Sequence, residues 1–283
     1  MQDLTAQLRE KAKELLDAKT VDIVIGYGPT GNNGEMTAVF VRKPEQADRL
    51  GLNGKCFRNL AVYLNKPEVR KQGRPAIVVK GCDRRALNVL VREHRLTRED
   101  VYIIGVNCDG VGEPPMTKCN FCSVHNPEDC DEVLGDKVEM PAEEGEFADV
   151  DEMEQLSSDE RWKFWREKLS ECIRCYACRQ VCPMCYCQRC VVEKNIPQWV
   201  DNSPHLRGNL SWNVIRAFHL TGRCVGCGEC ERVCPMEIPI GLINQKLTKL
   251  VKEEFQFVPG MSADEQGPFS TFDLDIDTDE GIL

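Results

Sequence analysis

The chain has 283 residues, 42% hydrophobic and 29% charged, enough for one large domain or two ordinary ones with a real core. Its formal charge of −10 argues against a general nucleic-acid binder, because phosphate binding needs a cationic face. No apolar run is long enough to cross a membrane, and Met1-Gln2-Asp3-Leu4 lacks the basic and apolar regions of a secretory signal, so a cytoplasmic protein with no membrane span is expected.

Leu4, Leu8 and Leu15 stand at helical spacing and predict an opening helix over Leu4–Leu16. Val21–Tyr27 and Thr37–Arg42 read as strands on either side of a glycine-rich loop. That loop, Gly26-Tyr-Gly28-Pro-Thr-Gly31, matches GxGxxG after a strand, but a dinucleotide site needs a helix to begin there. Pro29 interrupts it and a second strand follows, so a hairpin is expected. Asn59–Leu64 has helical character. Pro75–Lys80 and Val101–Val106 are buried-type strands, and between them Arg84–His94 puts Leu87, Leu90 and Val91 on one helical face. A strand–helix–strand unit of this kind implies parallel strands.

From about Met140 to Glu160 the chain turns acidic, with Glu143, Glu144, Glu146, Asp149, Asp151, Glu152 and Glu154, and reads as a solvated linker. Ser157-Ser158-Asp159-Glu160 fits a capping box opening a helix on which Trp162, Trp165 and Leu169 share a face. A last helix, Ile240–Phe255, carries Ile243, Leu247, Leu250 and Val251; the tail after Pro259 is polar and acidic, ending Asp273-Leu274-Asp275-Ile276-Asp277. The expected architecture is an α/β N-terminal domain with a largely parallel sheet (1–140), an acidic linker (141–158), a dicluster ferredoxin-like domain with flanking helices (159–258) and an acidic C-terminal tail (259–283).

Seventeen cysteines carry the chemistry. Their odd number, in a long chain with no secretory signal, points to thiolates on metal in a reducing compartment rather than to disulfides. Cys172-Ile-Arg-Cys175-Tyr-Ala-Cys178-Arg-Gln-Val-Cys182-Pro183 is a full CxxCxxCxxxCP run, and Cys224-Val-Gly-Cys227-Gly-Glu-Cys230-Glu-Arg-Val-Cys234-Pro235 repeats it. Three thiolates two residues apart let a tight loop wrap three corners of a cubane. The proline then stops a regular helix at the fourth. In two-cluster modules that fourth cysteine serves the other cluster. The expected 4Fe-4S ligand sets are therefore Cys172, Cys175, Cys178 and Cys234, and Cys224, Cys227, Cys230 and Cys182, with Gly226 and Gly228 letting backbone amides approach the sulfides. Structural zinc also uses CxxC pairs, but two complete runs with proline are far more specific. Residues 172–240 resemble bacterial dicluster ferredoxins, with one departure: the link between repeats is long and carries Cys185, Cys187 and Cys190, which could form an extra cluster site or bind zinc but are read as free thiols packed near the clusters. Tyr176 and Tyr186 read as apolar lids. His94, His125, His205 and His219 show no paired spacing, which leaves them surface or structural roles.

In the N-terminal half, Cys82 and Cys108 each follow a strand of the parallel unit, so both belong on the carboxyl edge of the sheet, the usual ligand edge. Cys119-Asn-Phe-Cys122 completes a third four-cysteine set for a 4Fe-4S cluster, and Cys56 and Cys130 are its candidate substitutes. Lys80-Gly81-Cys82-Asp83, Gly105-Val106-Asn107-Cys108, and Cys119-Asn-Phe-Cys122 followed by Asp131 and Gly135-Asp136 resemble the beta subunits of deazaflavin-reducing hydrogenases and related formate dehydrogenases over about residues 20–140. That resemblance implies a cubane cluster and usually an FAD. The family's glycine-rich flavin-side segment is not found here, and Cys56-Phe57-Arg58-Asn59-Leu60 stands near its place. The whole chain resembles iron–sulfur subunits that accompany heterodisulfide-reductase-type complexes. The resemblances imply an electron-transfer subunit of a multisubunit anaerobic oxidoreductase. It would relay single electrons between a flavoprotein, hydrogenase or formate dehydrogenase partner and a heterodisulfide-reductase-like or ferredoxin-type one. The alternatives are a flavin-bearing subunit that exchanges hydride with a soluble carrier, and a zinc-rich scaffold.

Overall fold

The computed structural model describes residues 4–31, 34–120, 122–139, 145–201 and 203–269. The acidic end of the tail, Glu143 and Glu144 lie outside the described residues. The chain opens with α1 (Leu4–Asp17), which buries Leu8, Ala12, Leu15 and Leu16. β1 (Ile23–Thr30) and β2 (Glu35–Val41) follow as an antiparallel hairpin paired from Val24↔Val41 to Thr30↔Glu35. The GxGxxG segment is thus strand, not phosphate loop. A Cβ on Gly28 would strike the Arg49 carbonyl and the Val39 side chain, and one on Gly26 would meet Leu50 at 2.7 Å. These glycines let the 3-10 turn Pro44–Arg49 and the residue after it close onto the hairpin.

A 3-10 turn, Leu60–Asn65, is capped by Asn59, whose side-chain oxygen accepts from the Ala61 N–H. It leads into the single turn α2 (Pro67–Arg70). Then come β3 (Pro75–Val79), α3 (Gly81–Arg92), β4 (Tyr102–Val106), the short α4 (Thr117–Asn120) and β5 (Glu132–Leu134). The sheet order is β2-β1-β3-β4-β5, with every pairing parallel except β1–β2. β3 and β4 are buried runs without alternation, as strands covered on both faces must be. β5 leaves little trace in the sequence. Three residues carry little periodicity, and the strand is set by its pairing with Ile104–Val106 and by Asp131, which accepts from the Ile103 N–H.

The second half is helical: α5 (Ala148–Gln155), α6 (Ser158–Ser170), α7 (Ala177–Gln180), α8 (Leu206–Leu220), α9 (Glu229–Arg232) and α10 (Ile240–Phe255). Ser157 and Glu160 form the reciprocal capping box of α6; along its face Leu169 is buried while Trp162 stays exposed. The halves are not separate bodies. Met184, Leu220 and Val225 belong to the same buried cluster as Leu87 and Leu90 of α3. Arg85 and Asn88 of α3 donate to the carbonyls of Pro259 and Gly260, so the start of the tail is docked on the N-terminal half. Among the described residues no helix is long and apolar enough to cross a membrane.

The acidic stretch departs from the solvated linker of the sequence reading. Ala148–Gln155 is helical and lies along α10. Glu154 pairs with Lys246 and Lys249, Asp151 with Lys249 at 2.6 Å, and Glu146 with Lys252. The two lysines hold the Glu154 carboxyl at about 2, below its ordinary 4.5. A depressed carboxyl stabilises the docked helix fully above about 4.5, and that contribution drains as pH falls towards 2. Protection of the amides across residues 148–155, measured against their intrinsic exchange rates, should fall on acidification through this window. Glu154→Gln should be less protected than wild type already at neutral pH, and its protection should change less on acidification. Equal protection at neutral pH would show that the ion pairs do not hold α5.

Candidate metal centres

β3 ends at Val79 and α3 begins at once, at Gly81, three residues before the start read from the sequence. Cys82 therefore sits in the first turn of a helix. The reason is long-range: a Cβ on Gly81 would strike the Val124 carbonyl, so only glycine lets the loop after Cys122 close over the helix start. Cys108 leaves β4 and is clasped by His125: the Cys108 N–H donates to the His125 carbonyl at 2.9 Å, and His125 Nδ1 donates to the Cys108 carbonyl at 2.7 Å. This buried histidine has a definite task, which spacing alone does not reveal. Cys119 stands on α4, where its sulfur accepts from the Val111 N–H at 3.4 Å. Cys82, Cys108, Cys119 and Cys122 together line one hollow of about 90 Å³. Cys56 and Cys130 are not among its described lining residues. Cys56 is buried in the core, and the Cys130 thiol faces the Glu128 carbonyl at 3.5 Å.

Burial, and next the charge of Asp83, push the Cys82 thiol up to about 12; burial also raises Cys108 and Cys122. Such thiols stay protonated when free and release their protons to solvent when they bind a metal centre. Cations surround them. Lys80 is 5% exposed; its Nζ donates to Asp83 at 2.6 Å, to the Arg58 carbonyl at 3.1 Å and to the Tyr27 hydroxyl. Lys118 donates to the Phe57 carbonyl at 3.2 Å and to the Cys227 carbonyl at 2.8 Å.

The ferredoxin repeats build their loops alike. Arg174 and Tyr176 have φ of 58° and 59°, and Gly226 and Gly228, at the same places in the second repeat, have 66° and 68°. Left-handed residues at these two points turn successive N–H groups inward, the geometry of an anion-binding nest. Glycine adopts it freely; an L-residue pays about 1–2 kcal/mol. In the first repeat side-chain contacts offset that cost. Arg174 donates to the Gly208 carbonyl at 2.8 Å and lies 5.4 Å from the ring centres of Tyr176 and Trp212, which meet edge to face at 4.9 Å. Tyr176 packs on the same buried cluster as Cys172 and Cys234. Tyr186 is no lid: its hydroxyl donates to Glu93 at 2.8 Å, and Arg95 and Arg223 lie over its ring, pinning the two halves together.

The fourth cysteine of each run stands near thiols of the other run. Cys178 lies within electrostatic reach of Cys172, Cys175 and Cys234. Cys182 lines a hollow of about 530 Å³ together with Cys224, Cys227 and Cys230. Among the described residues no three His, Cys, Asp or Glu side chains close tightly around one ion-sized point. Cys185 touches Cys182 through its thiol, Cys190 packs beside Cys172 and Cys178, and Cys187 is exposed.

Between the two thiol sets lies Arg216, 5% exposed. Its Nη2 donates to the Cys178 carbonyl at 3.1 Å and the guanidinium reaches the Cys185 thiol, while Nε and Nη1 make no well-formed hydrogen bond. A buried guanidinium with idle donors is costly unless an anion sits beside it. Anionic clusters on either side fit that need. The N-terminal and second hollows also share a wall, because Lys118, Val225 and Gly226 line both.

The two glycines separate handedness from crowding. A Cβ on Gly226 meets nothing within 4 Å, whereas one on Gly228 meets Lys118 Cδ at 3.0 Å. Gly226→Ala should cost about 1–2 kcal/mol from handedness alone. Gly228→Ala should cost more and lose cluster absorbance at lower denaturant. Equal midpoints would mean that Lys118 gives way freely.

Residues 171–239 match the 4Fe-4S dicluster domain family. The chain is 34% identical over 110 residues to the F420-dependent formate dehydrogenase subunit beta of Methanocaldococcus jannaschii, covering 38% of this chain and 27% of that one. It is 27% identical over 104 residues to F420-dependent formate dehydrogenase 1 subunit beta of Methanococcus maripaludis, covering 37% and 26%. Over 101 residues it is 31% identical to the acetyl-CoA decarbonylase/synthase complex subunit alpha 1 of Methanosarcina mazei, covering 35% and 10%. The chain spans about a quarter or less of the length of these curated relatives. It carries a 4Fe-4S dicluster domain, a two-cluster iron–sulfur module, and is similar in sequence to the beta subunits of F420-dependent formate dehydrogenases.

Proposed function

We propose that this chain is an iron–sulfur electron-transfer subunit of a multisubunit, formate-dehydrogenase-type oxidoreductase, carrying three 4Fe-4S clusters in a row. The observation that carries the reading is the pair of shared walls. Lys118 stands between the N-terminal and second thiol sets, and Arg216 between the second and first. Cys82, Cys108, Cys119 and Cys122 would hold one cluster, Cys182, Cys224, Cys227 and Cys230 the next, and Cys172, Cys175, Cys178 and Cys234 the last. Each bound cluster supplies a one-electron couple. The chain's own residues bring the thiols together, exclude water and place cations where negative charge changes. Cys175 is exposed, which puts the last site near the surface as one terminus.

Cys56–Leu60 does not form a cradle for FAD. Cys56 and Leu60 are buried in the core, and the Arg58 carbonyl accepts from Lys80 and Tyr27. The reading therefore takes no step through a flavin on this chain and assigns the flavin or catalytic metal to a partner. Partners of the flavoprotein, hydrogenase, formate dehydrogenase or heterodisulfide-reductase kind, in the cytoplasm, suit such a relay.

Anaerobic metal and sulfide analysis should give about twelve irons per chain, from three cubanes. About eight would remove the N-terminal cluster, and abundant zinc with little iron would overturn the reading. Cys182→Ser should alter the EPR signal of the cluster held by Cys224, Cys227 and Cys230, although it belongs to the other repeat. Loss of only the signal that depends on Cys172, Cys175 and Cys178 would contradict the crossed assignment.

A further inference from the structure

We propose that the basic hollow beside Cys182, at the seam of the two halves, is the docking surface for a small acidic redox protein. The inference rests on the electron-transfer reading above. The hollow encloses about 670 Å³ and is lined by Lys66, Arg70, Lys71, Arg95 and Arg179, with Cys182 in its wall. No carboxylate is among its described lining residues. Five cations concentrated on one face of a chain of net charge −10 are a strong local exception.

The state of these cations points to a protein surface and not to a small phosphate. Arg70 already donates to the Leu64 and Arg95 carbonyls, and Arg179 to Glu193 and to the Cys187 carbonyl. Arg95 lies over the Tyr186 ring at 4.5 Å. The forks of Arg70 and Arg179 are occupied, and the Arg95 guanidinium is stacked on a ring with its Nε buried, so the three offer charge with little of the free bidentate grip that phosphate recognition uses. Lys71 is exposed and Lys66 half-buried, and among the described residues neither is within ion-pair distance of a carboxylate. Two point charges above three engaged guanidinium groups suit the diffuse complementarity of a charge-steered, small-area electron-transfer encounter.

The wall supplies the other requirement. Cys182 reaches both this hollow and the thiol set of Cys224, Cys227 and Cys230, so a partner seated on the lysines stands beside that centre. In the step, one electron leaves the reduced partner and enters the oxidised centre. No bond forms or breaks, and no proton has to move.

The test uses the full chain, loaded anaerobically, and a small acidic 2×4Fe-4S ferredoxin as probe, with binding and electron-transfer rate both measured. Lys66→Glu with Lys71→Glu should weaken binding about tenfold or more at low salt and slow the transfer to match. Wild-type affinity should fall as salt rises to about 0.5 M. Lys163→Glu, an exposed change on α6, should do neither, and all three proteins should hold the same iron. The surface is wrong if the lysine pair has no effect in a fully loaded chain, or if Lys163→Glu acts as strongly. It is also wrong if inorganic phosphate at matched ionic strength displaces the ferredoxin, since the hollow would then be a small-anion site. Lysine-dependent binding by a chain that holds no iron would sustain the surface and sink the electron-transfer reading. Binding indifferent to the lysines in a loaded chain would do the reverse.

Discussion

Buried positive charge has to be matched, and the interior of this protein holds more of it than its protein partners satisfy. Arg216 leaves two donors without a well-formed hydrogen bond, Arg174 keeps its Nε idle, and Lys118 spends its ammonium on two carbonyls and no carboxylate. Each of the three lies within a few residues, or one side chain, of cysteines that would be anionic when metallated. The thiols and the cations explain one another. Without anionic centres the arginines carry an uncompensated desolvation cost, and without the cations the thiolates would repel one another in a low-dielectric pocket.

The same constraint accounts for the joining of the halves. Lys118 stands on α4, between β4 and β5, and ends on a carbonyl of the second ferredoxin repeat. Arg85 of α3 reaches the Pro259 carbonyl while lying near Cys82, Cys122 and Cys224. Arg223 and Glu93 close the seam on the side of Tyr186. A common apolar cluster from α3 to Val225 fixes the distance between the N-terminal and second thiol sets, as an electron path demands and a tether could not provide.

Much of this was legible in the residues because ligand chemistry and backbone chemistry act locally. A cubane loop needs its cysteines at fixed spacing and a proline to end it, so both repeats stand out. Ser157 and Glu160 cap their own helix, Pro29 disqualifies its own glycine motif, and α10 runs between the residues its periodicity indicates. What was hidden depends on partners far along the chain. α3 starts at Gly81 because Val124 lies over it. The acidic stretch forms a helix because Lys246, Lys249 and Lys252 wait about a hundred residues away. His125 acquires its role from Cys108. No spacing rule announces that Lys80 and Arg216 are buried and Lys118 half-buried, since a lone cation in a sequence is ordinarily a solvated one.

The central claim is that the N-terminal thiols hold a cluster close enough to the ferredoxin pair to share its electrons. Low-temperature EPR of the fully reduced, anaerobically loaded chain tests this most directly, recorded alongside a Cys82→Ser, Cys108→Ser double variant. The account predicts magnetic coupling that broadens or splits the signal of the cluster held by Cys182, Cys224, Cys227 and Cys230, and a simpler spectrum once the N-terminal ligands are removed. A ferredoxin-type spectrum identical in the two proteins would contradict it.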